Sequence, residues 1–328
     1  MIAQLNLETG AYLREATSHP LSPSPPLNAS QICAVVITFN PDDTLEHNLR
    51  ALQPEVNKII IVDNRSRDEL RSRIAMIASA TASDVIWNAQ NQGIASALNV
   101  GIQHALSQSN YQWIATFDQD SRVLPGFTKA MLEAHRACHF RDEVGVIGPR
   151  YVANVADISR PIRHGEREIV FRELATTMTS GNLLDPKIFA IAGMFDDSFF
   201  IDYVDHEFCL RLRRHGFRII EAENANIIHR LGSPTKYRFL MRTVVASNHS
   251  PFRRYHNTRN RFRVYGRYFA TEPAWILSDF YGWCKELAKL VLFEKDRKSK
   301  LAGMAKGAWD AVRGSPGSEI PSNARFHS

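Results

Sequence analysis

The chain has 328 residues, 44% hydrophobic and 23% charged, which is material for one large globular domain or two smaller ones. Its four cysteines (Cys33, Cys138, Cys209, Cys284) are scattered without a C-x-x-C pair, so neither a disulfide framework nor a zinc knuckle is suggested, and with no basic leader or apolar run of spanning length a cytoplasmic protein, neither exported nor transmembrane, is expected. The net charge of +6 is unevenly placed: residues 1–228 hold 21 Lys/Arg against 27 Asp/Glu, and residues 229–328 hold 19 against 7, so the last third reads as a separate basic object for nucleic acid, an anionic membrane or a phosphorylated ligand.

Residues 1–30 lack periodicity and end in the Pro/Ser stretch "SHPLSPSPPLNAS", a flexible lead-in. "ICAVVITFN" (32–40) is a continuous β-branched run closed by Asn40-Pro41, and "DDTLEHNLRALQ" after it spaces Leu45, Leu49 and Leu52 as a helix does. The pattern recurs. "KIIIVDN" (58–64) is a strand, "RDELRSRIAMIASA" a helix and "DVIWN" (84–88) a third strand; "GIASALNVGIQHAL" (93–106) puts Ile94, Leu98, Ile102 and Leu106 on one helical face, and "YQWIATFD" (111–118) is the fourth strand. Alternating strands and helices specify an α/β fold with a mostly parallel sheet, whose ligands bind beyond the carboxyl ends of the strands. Asn40, Asp63 and Asp118 stand at three such ends.

"FDQDS" (117–121) places Asp118 and Asp120 one residue apart after a buried strand, with "SRVLPGFTKAMLEAH" resuming as a helix. Two carboxylates so placed repel each other unless they share a cation, and Mg2+ or Mn2+ favours that donor set; a solvated turn is the alternative.

Seven segments, "VVITFNP" (35–41), "IIIVDNRS" (59–66), "NQGIASALNVGI" (91–102), "FDQDS" (117–121), "TSGNLL" (179–184), "GMFDDSFFIDYVDHEFCLRLRRHGF" (193–217) and "IIHRLG" (227–232), resemble in content and order those of inverting glycosyltransferases of family 2. They cover roughly residues 31–270, and more narrowly the chain is similar to bacterial rhamnosyltransferases that use dTDP-L-rhamnose. The resemblance implies a GT-A nucleotide-sugar fold over residues 31–270, with a helical basic extension over 271–328. It implies that Thr38, Phe39 and Asn40 line the nucleotide pocket, that Asp63 accepts the base N3–H, and that Asn91, Gly93 and Asn99 close over the nucleotide. Gly93 would permit close backbone approach, or would serve as a turn glycine before the helix. Asp120 would hold the metal with Asp118 assisting, and His229 would add a ligand, a capped or core imidazole being its alternative.

Asp205 matches the family's catalytic aspartate, the base that takes the acceptor hydroxyl proton. Val204 stands where the family commonly has Glu, so Asp202 or Glu207 would supply what the missing acid contributes; the bland alternative is that Asp205 and Glu207 only open a helix. Asp202, Gly181 and Asn182 are the expected acceptor contacts. "YHNTRNRFRVYGR" (255–267) sets Arg259 and Arg263 four apart, a face that clamps a diphosphate or meets solvent or lipid. In "AWILSDFYGWCKELAKLVLFEK" a stripe of Ile276, Phe280, Trp283, Leu287 and Leu290, followed by the basic "EKDRKSK", reads as an interfacial helix on an anionic membrane or as a helix packed on the catalytic domain or a partner subunit.

The expected donor is dTDP-L-rhamnose and the acceptor a cell-surface or lipid-linked glycan, on a peripheral protein at the inner face of the membrane that binds no nucleic acid, with a homo-oligomer left open. Another dTDP- or UDP-sugar is the rival donor, and a non-catalytic nucleotide or nucleic-acid binder the rival of another class.

Overall fold

The computed structural model describes residues 31–154, 163–164, 167–168, 170–229, 235–239 and 242–314; the lead-in assigned to 1–30 lies outside them. Strands β1 (Ile32–Thr38), β2 (Lys58–Asp63), β3 (Asp84–Trp87) and β4 (Trp113–Asp118) pair in parallel in the order β3-β2-β1-β4. Helices α1 (Leu45–Leu52), α2 (Asp68–Ala80) and α3 (Gly93–Gln108) connect them, as the periodicity predicts. The strands are unbroken apolar runs because both faces are covered. Cys33, Val35 and Ile37 pack on the α3 side, whereas Ile32, Ala34 and Val36 pack on the side of α1 and α2.

The second half departs from the expectation of a mostly parallel sheet. "SRVLPGFTKAMLEAH" forms a two-residue strand β5 (Arg122–Val123) before α4 (Phe127–Ala137), and β6 (Val144–Val152) follows. β7 (Arg163–His164) and β8 (Arg167–Glu168) are a small separate hairpin. β9 (Phe171–Leu174), β10 (Asn182–Leu184), α5 (Lys187–Ala192), α6 (Val204–Arg214) and β11 (Arg218–Ile228) complete the core. β10 runs antiparallel between β4 and β6, and β11 runs parallel to β6 but antiparallel to β5 and β9, giving a nine-stranded mixed sheet. An antiparallel insertion needs no crossover helix, and three residues entered from a left-handed Gly181 (φ 86°) suffice.

A hairpin of β12 (Thr235–Phe239) and β13 (Arg242–Ala246) leads to α7 (Pro251–Tyr268), α8 (Pro273–Phe293) and α9 (Arg297–Arg313). Ser250 caps α7 by accepting from Arg253 N, with Pro251 as the first helical residue. α9 lies hard against α7, where a Cβ on Gly307 would stand 2.4 Å from the Tyr255 carbonyl oxygen. The segment "EKDRKSK" is therefore no free basic tail: Glu294 and Lys300 are buried, with Glu294 Oε1 2.7 Å from Arg254 Nη2 and Oε2 2.9 Å from Lys300 Nζ. Nor is the basic third electrostatically separate. Arg253 pairs with Asp202 and Arg267 with Asp196, so α7 neutralises acids carried by the first two thirds of the chain.

The stripe of α8 is also rotated from its expected position. Ile276 and Leu290 face inward and Trp283 and Leu287 are half-buried, while Leu277, Phe280, Tyr281, Val291 and Leu292 form the exposed apolar stripe. Among the described residues, no helix is long and apolar enough to cross a membrane.

Candidate functional site

Registry in the parallel half aligns Thr38 with Asp63 and Ile37 with Asp118, so three polar strand ends share one edge of the sheet. Asp63 is fully buried there. Its Oδ1 accepts from Thr38 Oγ1 (3.1 Å) and Ser66 Oγ (2.5 Å), and its Oδ2 from Ser66 N (2.9 Å), which leaves one lone pair of Oδ2 without a protein donor among the described residues. Thr38 is likewise buried and turned to Asp63 rather than to a pocket. Phe39 is held by the amide of Gln119, whose Oε1 accepts Phe39 N at 2.8 Å. Asn40, left-handed at φ 48°, accepts Arg67 N at 2.9 Å and donates its own N–H to Ser66 Oγ. The central residue of "DQD" and Ser66 thus tie the three loops together.

Beyond β4, the turn brings Asp118 and Asp120 to His229 at the end of β11, with one ligand atom from each within 4.8 Å of the others. Ser180 Oγ accepts Asp118 N (3.0 Å) and lies 2.6 Å from Ser121 Oγ, which is in turn 2.7 Å from His229 Nδ1. That chain of hydroxyls holds the imidazole through Nδ1, which also lies 3.6 Å from Asp120 Oδ1. Burial pushes the Asp118 carboxyl up to about 6, with His229 opposing the rise, the Asp120 and Asp205 carboxylates adding to it and the Arg253 guanidinium opposing. Asp205 therefore lies close enough for its charge to be felt at the cluster. Two carboxylates that crowd negative charge in this way, with an imidazole beside them, fit a divalent cation.

The turn before α6 and the first turn of that helix carry three acids with different surroundings. Asp202 is gripped by Arg253, whose Nη2 is 3.0 Å from Oδ1 and whose Nε is 3.2 Å from Oδ2. Burial alone would raise the Asp202 carboxyl, yet the Arg253 charge and its hydrogen bonds hold it below the usual carboxylate range. Glu207 is buried and receives Arg211 Nη2 (3.0 Å) and the Tyr268 hydroxyl (2.9 Å). Asp205, in the first turn of α6, accepts His206 N at 2.8 Å, and among the described residues no cation pairs with it. Asp202 and Glu207 are thus both engaged in ion pairs, with Arg253 and Arg211, which sets them apart from Asp205.

Several expected contacts sit inside the protein instead. Asn99 donates Nδ2 to Phe195 O (2.8 Å) and Asp197 Oδ1 (2.7 Å) and accepts Phe195 N (3.0 Å), which pins α3 to the 195–197 loop. Gly93 (φ 86°) does permit close approach, but of protein: Ile94 N bonds Phe200 O at 2.8 Å, and a Cβ on Gly93 would stand 2.4 Å from that oxygen. Asn91 Oδ1 caps the same turn by accepting Gly93 N and Asn64 Nδ2. Gly181 and Asn182 are buried within the sheet, not on an acceptor surface, because β10 is inserted between two strands. Arg259 is 1% exposed and bonds Ser198 O, while Arg263 reaches Ser198 Oγ from the rim, so the expected clamp face on α7 is an internal tether at Arg259. The cation of α7 whose charge does reach Asp118 is Arg253, which lies outside the family-like segments and before the arginine row of 255–267.

A family model described as Glycosyl transferase family 2 matches residues 33–199. The dTDP-rhamnosyl transferase RfbF of Shigella flexneri is 31% identical over 250 residues, covering 71% of this chain and 79% of RfbF. Among solved structures, S. aureus TarS 1-349 superposes with a TM-score of 0.55 at 12% identity, covering 86% of this chain and 81% of TarS 1-349. GalNAc-T7, crystallised with UDP, GalNAc and Mn2+, superposes at 0.54 and 14% identity over 87% of this chain and 58% of its own. These neighbours share the GT-A-type fold, and the matched segment carries the acidic turn of β4: the chain belongs to glycosyl transferase family 2.

Proposed function

We propose that the protein is an inverting rhamnosyltransferase that moves L-rhamnose from dTDP-L-rhamnose to a hydroxyl of a growing cell-surface or lipid-linked glycan. The likeness to RfbF supports the sugar and the nucleotide. The observation that carries the chemistry is the pairing of an acidic cluster (Asp118, Asp120, His229) with one nearby carboxylate, Asp205, that no cation claims among the described residues. Asp205 takes the acceptor hydroxyl proton as the sugar carbon leaves its diphosphate with inversion. An ionised carboxylate suits that role only if it is not already held by a guanidinium, and this separates Asp205 from Asp202.

Asp118, Asp120 and His229 would hold Mg2+ or Mn2+, which when bound stabilises charge on the departing diphosphate; an imidazole among the donors suits Mn2+ better. The base of the nucleotide would donate its imide N3–H to the remaining lone pair of Asp63 Oδ2, which is buried, so the loop that covers it shifts when the nucleotide enters. Phe39 and Asn40 line the nucleotide side, with Arg263 at the rim. The exposed stripe of α8, from Leu277 to Leu292, with Lys285 and Lys295 nearby, rests on an anionic membrane surface and brings a lipid-linked acceptor within reach. A donor panel of dTDP-rhamnose, dTDP-glucose, UDP-GlcNAc and UDP-galactose, scored by released nucleoside diphosphate with Mn2+, tests the reading. Rhamnose is expected to be preferred, and release from a UDP-sugar alone would refute it.

A further inference from the structure

Two consecutive non-glycine residues just before the candidate base are left-handed, Asp202 at φ 61° and Tyr203 at φ 65°. Such backbone is costly for L residues and persists only where surrounding structure over-determines it. The surroundings here come from the C-terminal helices. Asn260 of α7 donates Nδ2 to the carbonyls of Ile201 (2.9 Å) and Asp202 (3.0 Å). From α8, Asp279 accepts the Tyr203 hydroxyl at 2.9 Å on Oδ1 and 2.8 Å on Oδ2. Asp279 Oδ2 also receives Arg261 Nε (2.9 Å) and the Tyr265 hydroxyl (2.6 Å), and the Arg261 guanidinium lies 5.0 Å from the centre of the Tyr203 ring.

We infer that Asp279 is a positioning residue for the transfer reaction: by holding the Tyr203 hydroxyl it fixes the left-handed Asp202–Tyr203 turn and so sets where Asp205 stands. This rests on the reading of Asp205 as the base. Tyr203 is the N-cap residue of α6, and Asp205 lies two residues later in the first turn of that helix, so any relaxation of the turn moves the carboxylate directly. Asp279 sits on the inward side of the helix whose outer side carries the exposed apolar stripe, so the proposed docking helix and the catalytic turn are joined by one carboxylate. Arg261 and Tyr265 keep that carboxylate occupied and ionised from the α7 side, which leaves its geometry stiff.

Tyr203→Phe in the full chain is the primary test, because it removes only the hydroxyl and leaves the Arg261–Asp279 pair intact. Hydrogen exchange of residues 200–206 should quicken by about tenfold or more. Single-turnover transfer at saturating donor should fall by about ten- to a hundredfold, the scale of a small misplacement. Affinity for dTDP with Mn2+ should stay within about twofold, since the nucleotide side is untouched. Asp279→Asn should repeat the pattern, and Glu272→Gln, which breaks the Arg213 joint at the start of α8 without touching the turn, should not. Wild-type exchange in Tyr203→Phe overturns the inference, as does an equal loss in Glu272→Gln or a dTDP affinity loss that matches the rate loss. If the wild-type protein transfers from no sugar nucleotide, the enzyme reading fails and the exchange result alone decides whether Asp279 holds the turn.

Discussion

Asp205→Asn should separate binding from chemistry. Asparagine keeps the Oδ1 that accepts His206 N at 2.8 Å, so the first turn of α6 is retained. The substitution also removes one of the negative charges that raise the Asp118 carboxyl, which eases its ionisation but weakens the field that attracts a cation, so affinity for a divalent cation should stay within a few-fold. Only basicity is lost. General-base contributions are ~10²–10⁴-fold, or about 3–5 kcal/mol of barrier. Asp202→Asn perturbs something else: it frees the Arg253 fork, and because that arginine is partly exposed the loss is tempered to about 1–2 kcal/mol of stability. Single-turnover transfer with dTDP-rhamnose and Mn2+, alongside thermal unfolding and dTDP titration, resolves the two. Asp205→Asn is expected to lose rate at wild-type stability and dTDP affinity, and Asp202→Asn to lose stability with a smaller rate effect. If Asp202→Asn loses more rate per folded molecule than Asp205→Asn, the base has been assigned to the wrong carboxylate.

Asp120→Asn should abolish the Mn2+-dependent part of dTDP binding, read by calorimetry with and without the ion, while leaving the unfolding temperature near wild type; retained Mn2+ dependence would count against the cluster as a cation site. His256 is buried among Phe200, Phe252 and Tyr255 with neither ring nitrogen bonded among the described residues, and burial, reinforced by the Arg259 charge and opposed by Asp202, lowers it from 6.5 to about 4. The unfolded chain then binds the proton first, so stability present above pH 6.5 should decline toward pH 4 by at most roughly 3 kcal/mol, and denaturant titrations of His256→Phe should lack that slope. Leu277→Glu with Tyr281→Glu should release the protein from phosphatidylglycerol vesicles without altering dTDP affinity; sedimentation of the double variant with the vesicles would refute docking through the outer stripe of α8.

What the sequence determined by itself is local and periodic. Unbroken β-branched runs, leucines at helical spacing and Asn, Asp or Gly after each run were enough for β1 to β4, α1 to α3 and the edge on which Asp118 and Asp120 stand, because periods of 2 and 3.6 residues and turn chemistry act within a few neighbours. Gln119 and Ser121 were inside a motif already read, but their partners, Phe39 and His229, lie 80 and 108 residues away, and nothing local encodes such pairings. The same limit hid the insertion of β10, which turned the expected acceptor residues Gly181 and Asn182 into sheet interior. On α7 the sequence supplied a row of arginines without saying which of them the fold would bury. Tertiary packing decided that: α9 and the loop over 198–203 cover Arg259, whereas Arg253, at the helix start, meets Asp202 and the site. α8 shows the reason most simply, since its apolar residues are spread over more than one face and only the long-range contacts of Ile276 and Leu290 with the rest of the protein select which stripe is left to the outside.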